Sequence, residues 1–149
     1  MKKLSVKKAL FFLIWMALGV WVVSRTPTIS TAKGKLEIMT ADLSYLFDNA
    51  TILSRHENAK TGAALALYDV DASTFGEEKE NFLKNSLKKK GWVFLGRDGD
   101  AYVMCKSGMK ASFAERSDKT ELDSMGKRIF SVSMEFNAGT EDFCRRRMH

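Results

Sequence analysis

Histidine, cysteine and proline are all scarce in this 149-residue chain: two histidines, two cysteines and one proline. Each scarcity removes a class of chemistry. Nucleophilic catalysis needs a nucleophile, a base and a group that orients the base. The candidate bases are His56 and His149, and His149 is the last residue. His56 lies between Arg55 and Glu57, where the plain reading is an exposed histidine at the end of a hairpin. There is no G-x-S-x-G turn and no C-x-x-C pair, and neither histidine is near a cysteine in sequence, so zinc-site spacing is missing as well. The ten glycines are dispersed, and none follows a strand in the pattern that cradles phosphates.

Two carboxylate pairs remain, Asp69/Asp71 and Asp98/Asp100. A spacing of two puts both members of a pair on one face of a strand or in one turn. Asp98-Gly99-Asp100 reads as a hairpin turn, and it offers too few alternating ligands for a calcium loop. Asp69 and Asp71 sit at a strand end beside a helix start, where solvation or capping is the plain role. The expectation is therefore no catalytic set, no metal and no cofactor. A small envelope hydrolase using Asp69, Asp71 or His56 is an alternative.

A strong charge of one sign is missing too, despite a formal net charge of +6. Lys2, Lys3, Lys7, Lys8 and Arg25 precede residue 33. The remainder carries 19 basic against 18 acidic residues, a balance of +1. A nucleic-acid partner loses its main electrostatic support. The runs Lys88-Lys89-Lys90 and Arg145-Arg146-Arg147 read as a solvated helix end and a charged tail. Trp92, Phe94 and Tyr102, near Arg97, read as core and cross-strand pairs rather than base-stacking platforms.

What the chain does have is one long apolar run, Ala9 to Val23, directly after the four lysines. A basic segment ahead of an apolar core is the pattern of an export signal. The lysines stay on the cytoplasmic side, and the residues beyond the run are delivered across the membrane. Ser30 and Ala32 have the small-x-small spacing that allows cleavage after Ala32. Trp15 and Trp21 favour a retained helix, since tryptophan is enriched near membrane interfaces. The run has 15 residues, short of the roughly 20 that span a hydrocarbon core, a gap that lysine snorkelling would narrow. Two outcomes stay open: a single-pass inner-membrane protein with its N-terminus inside, or a periplasmic or secreted protein with the leader removed. No cysteine comes directly after the run, which argues against a lipoprotein. The expected organisation is a signal or anchor over 1–23, a linker over 24–35 holding the sole proline, and one exported domain over 36–149.

Export gives the cysteines an oxidising setting, and two cysteines permit one intramolecular bridge, Cys105–Cys144. Within the domain, Thr51–Glu57 and Ala63–Asp71 predict a hairpin around Asn58–Gly62. Ser73–Lys90 predicts the main helix, with a Thr74/Glu77 capping box, an apolar stripe of Phe75, Phe82, Leu83 and Leu87, and Gly91 beyond its end. Trp92–Leu95 and Ala101–Cys105 flank an Asp98-Gly99 turn, Met109–Glu115 comes next, and Arg116–Lys127 reads as a polar loop. Arg128–Phe136 is the cleanest strand, with Phe130, Val132, Met134 and Phe136 on one side. Leu36–Phe47 has no clean period. The expected fold is α+β: an N-terminal membrane-anchor or signal helix, then a two-layer domain with a mostly antiparallel sheet and one main helix, in the order hairpin, helix, three-stranded meander.

These features lead to a non-enzymatic protein-binding module on the outer side of the cytoplasmic membrane, such as an immunity- or inhibitor-type protein. An accessory subunit of a cell-envelope complex is an alternative. The expected partners are a protein and, through the N-terminal helix, the membrane. No nucleic acid and no small molecule is implied.

Overall fold

A computed structural model describes residues 6–74, 79–115 and 129–148. Helix α1, Val6–Arg25, carries the apolar run. After it come α2, Ile29–Leu46, and a hairpin of β1, Ile52–Lys60, and β2, Ala63–Asp71. A 3-10 turn over Ala72–Thr74 leads towards α3, Lys79–Lys89. Strands β3 (Val93–Asp98), β4 (Ala101–Lys106), β5 (Met109–Glu115) and β6 (Ile129–Asn137) succeed it, and α4, Ala138–Arg147, closes the described chain.

The domain is α+β, as its pattern predicts, but its sheet is larger than a hairpin beside a three-stranded meander. The meander has four strands, β3 to β6. Strand β6 then pairs antiparallel with β2, giving one six-stranded sheet in the order β1-β2-β6-β5-β4-β3. The reason is that β6 and β2 present matching apolar faces. Ala64, Ala66, Tyr68 and Val70 oppose Phe136, Met134, Val132 and Phe130 in register, and all eight are buried. A one-residue slip would turn every one of them away from the core, which fixes the pairing.

Of residues 24–35, expected as a linker, Ser24 and Arg25 end α1 and Ile29 to Lys35 begin α2, and the aperiodic reading of Leu36–Phe47 is corrected. Thr28 caps α2 by accepting a hydrogen bond from the Thr31 N–H. Its core-facing stripe is Ala32, Leu36, Met39, Leu43 and Leu46, alternating steps of four and three. That is helical spacing. The exposed Ile38 and Tyr45 on the other side mask it in the sequence.

The other helices differ from expectation in smaller ways. Phe75 and Glu77, and with them the capping box, fall outside the described residues. Thr74 Oγ1 donates to the Asp71 carbonyl instead. Leu83 and Leu87 are buried, but Phe82 is half exposed and lies off the stripe. The end of α3 adopts the Schellman pattern: the Trp92 N–H donates to the Leu87 carbonyl and the Gly91 N–H to the Lys88 carbonyl, with Gly91 at φ 87°. The tail after Asn137 is a helix, started by reciprocal hydrogen bonds between Asn137 and Thr140.

The core lies between α2, α3 and the sheet face bearing Tyr68, Met104, Phe113, Phe130 and Met134. The opposite face mixes serines and charged residues with Leu65, Leu67 and Val103, and among the described residues α4 covers part of it. Cys105 on that face is bridged to Cys144 of α4, with the two Cα atoms 5.7 Å apart. The expected cysteine pair is thus brought together. Closing a segment with a sequence separation of 39 stabilises the fold by about 4 kcal/mol on the chain-entropy relation.

Candidate functional site

The open sheet face gathers residues that the sequence singles out for chemistry. Ser54 on β1 opposes Asp69 on β2, which opposes Ser131 on β6. Ser54 Oγ donates to Asp69 Oδ2 at 2.8 Å, and Ser131 Oγ donates to Asp69 Oδ1 at 2.5 Å. In the next row, His56, Leu67, Ser133 and Ser112 lie side by side across β1, β2, β6 and β5. His56 and Asp69 are thus diagonal neighbours on one face.

In this arrangement both serine hydroxyls are engaged by Asp69. Both serine protons point at a carboxylate whose two oxygens each already accept a hydrogen bond. His56 stands opposite Leu67 in the ladder, one row along the same face from Ser54, Asp69 and Ser131. Asp71 is not paired with Asp69. It is buried, and its Oδ1 accepts from both the N–H and the hydroxyl of Ser73. That is an Asx turn closing the strand. Asp98 and Asp100 flank Gly99, at φ 60°, at the exposed tip of the β3–β4 hairpin. Among the described residues, no three of His, Cys, Asp and Glu are gathered so as to hold a metal ion.

Two further clusters lie on the helix-covered side, and no motif announces either. Asp42 of α2 is buried. Its Oδ2 accepts from Trp92 Nε1 at 2.8 Å and from Lys106 Nζ at 2.8 Å. A carboxylate taken out of water needs partners of this kind, and the three groups lock α2 to the α3–β3 junction and to β4. The available signal was Asp42 lying three residues after Met39, within the apolar stripe. At the β1 edge, the Tyr68 hydroxyl donates to Glu57 Oε1 at 2.5 Å, and Arg55 Nε donates to the same oxygen at 2.6 Å. The Arg55 guanidinium also lies 5.2 Å from the Tyr68 ring centroid. The hydrogen bond from Arg55 holds the Glu57 carboxyl below its ordinary range. Burial, then the bond to Glu57, pushes the Tyr68 hydroxyl up to about 12.

The aromatic and basic residues pack against one another. Phe94, Tyr102 and Phe113 form a ladder with centroid spacings of 6.1 and 5.5 Å. Lys84 and Arg97 lie 4.5 and 4.4 Å from the Tyr102 ring. Within the basic runs, Lys90 covers Tyr45, Arg145 and Arg146 pair with Asp142, and Arg147 lies against Phe143. Among the described residues, every buried side-chain nitrogen and oxygen has a partner.

Helix α1 is different. From Leu10 to Trp21 all its residues are exposed, including Phe11 at 63% and Trp15 at 60%. The Leu10, Leu13 and Trp21 side chains and the other large ones are exposed on all sides of the helix. Its 20 residues extend about 30 Å at ~1.5 Å per residue. Among the described residues no helix is long and apolar enough to cross a membrane. The chain leaves α1 through Thr26 and Pro27, where the Gly62 N–H at the β1–β2 hairpin tip donates to the Pro27 carbonyl at 2.9 Å. Comparison with protein families, curated proteins and solved structures finds no match for this chain.

Proposed function

We propose that this chain is a non-enzymatic protein-binding module that α1 routes to the outer side of the cytoplasmic membrane. The observation that carries the reading is α1 itself. A helix apolar on every side belongs in an apolar surround, and this chain leaves it exposed. Lysines at its start and an arginine at its end can snorkel to the two interfaces. That supports a membrane-associated leader, whether it is retained or removed after Ala32.

The domain it delivers suits binding better than chemistry. The carboxylates of Asp69, Asp42 and Glu57 are engaged by serines, tryptophan, lysine, arginine and tyrosine within the fold. The bridge between Cys105 and Cys144 suits an oxidising compartment. An inhibitor or immunity-type protein would use this rigid sheet to present a surface to a soluble target. An accessory subunit would present it to envelope proteins.

The test is affinity capture of the full chain, extracted from membranes of its native host without reductant. A stoichiometric soluble partner supports the inhibitor reading, and co-purifying membrane proteins support the subunit reading. Hydrolytic activity in the purified protein that His56→Ala or Asp69→Asn abolishes would overturn both.

A further inference from the structure

The geometry points to a second copy of this chain as the partner of strand β1, paired antiparallel edge to edge about a two-fold axis at His56. Strand β1 is nine residues long, contains no proline and forms one edge of the sheet, with β2 as its single neighbour among the described strands. Such an edge carries a row of backbone donors and acceptors ready to pair with another strand.

The side chains select the occupant and the register. In an isologous antiparallel pair, the residues directly opposite each other must lie on the same face of the sheet. Arg55 and Glu57 both lie on the helix-covered side with Tyr68, while Ser54, His56 and Asn58 lie on the open side. Centring the two-fold axis on His56 sets Arg55 of each copy opposite Glu57 of the other. It also sets Ser54 opposite Asn58, a polar pair. Directly opposed charges of opposite sign stabilise a ladder, and like charges destabilise it. Moving the axis by one residue towards the start of β1 would set Arg55 against Arg55. Moving it one residue the other way would set Glu57 against Glu57. Of these three registers, only the one centred on His56 avoids both and sets Arg55 opposite Glu57.

The contact between Arg55 and Glu57 within one chain, at 2.6 Å, already places the two side chains along the edge. Pairing would extend them into an alternating row of four charges and join two six-stranded sheets into one of twelve strands. The inference concerns the folded domain and does not depend on whether α1 is retained.

Cysteine trapping tests this in the full chain in detergent, with Cys105 and Cys144 left bridged. Opposed residues of antiparallel strands have Cα atoms about 4.5–5.5 Å apart, within the range that a disulfide spans. His56→Cys should therefore form a covalent dimer on mild oxidation. Ser54→Cys and Asn58→Cys, each alone, should not. The unmodified chain should show a concentration-dependent monomer–dimer mass by light scattering. Arg55→Glu should weaken the dimer by about tenfold or more, and adding Glu57→Arg should restore it. A wild-type chain that stays monomeric at all concentrations, or trapping by Ser54→Cys or Asn58→Cys in place of His56→Cys, would overturn the proposal.

Discussion

Helices α1 and α2 lie one after the other with three residues between them, yet they solve the problem of apolar surface in opposite ways. In α2 the apolar residues fall on one stripe, and Ala32, Met39 and Leu43 are fully buried against the sheet. In α1 they fall on every side, and each large side chain from Leu10 to Trp21 stays exposed. Amino-acid type alone does not separate the two. Arrangement does: a stripe can be covered by one sheet, and a fully apolar cylinder needs an apolar environment all round. The domain therefore has its own core without α1.

Substitutions can sharpen this contrast, and the largest effect is expected at the buried carboxylate of α2. Asp42→Ala leaves the Lys106 ammonium and the Trp92 N–H without their partner, and should lower unfolding stability by about 3–5 kcal/mol in denaturant titration. Leu43→Ala removes a fully buried side chain and should cost about 2–5 kcal/mol. Leu13→Ala makes the same chemical change in α1, where the residue is 63% exposed. It should leave domain stability within about 0.5 kcal/mol while reducing the fraction that sediments with membranes. Equal losses from Leu43→Ala and Leu13→Ala would break the distinction between the two helices.

Replacing both cysteines by serine should cost about 4 kcal/mol by the chain-entropy relation, with α4 the first element to lose amide-exchange protection. The smallest effect concerns pH. The Glu57 carboxyl titrates below its ordinary range because Arg55 hydrogen-bonds to it. Its contribution is present above the ordinary glutamate range and is lost as pH falls through the lowered value. Tyr68 behaves oppositely. Its hydroxyl is raised to about 12, so its contribution is present below the ordinary tyrosine value near 10 and is lost as pH rises towards 12. Glu57→Gln should accordingly lower Tm near neutrality and converge with the parent protein in acid.

Much of the fold was legible because the local signals and the tertiary structure agree. The alternation of Phe130, Val132, Met134 and Phe136 survives unchanged in β6, and the glycines at 91 and 99 sit where the chain turns. The placement of β6 between β2 and β5 was not legible, because strand order depends on matching faces far apart in sequence. Helix α2 was missed because Ile38 and Tyr45, exposed on its outer side, blur a stripe that is plain once the burial is known. The tail helix was missed because its start rests on Asn137 and Thr140 capping each other, without a strong apolar period. The open-face group of Ser54, Asp69 and Ser131 joins three strands, so no spacing in one segment could reveal it.

The central claim is that α1 carries the domain out of the reducing cytoplasm. The most direct measurement is the thiol state inside cells, trapped by acid quench and alkylation and read by intact mass. The full chain should carry no alkyl group on Cys105 or Cys144, and the same chain begun at Ser24 should carry two. A full chain with both cysteines alkylated would contradict the account.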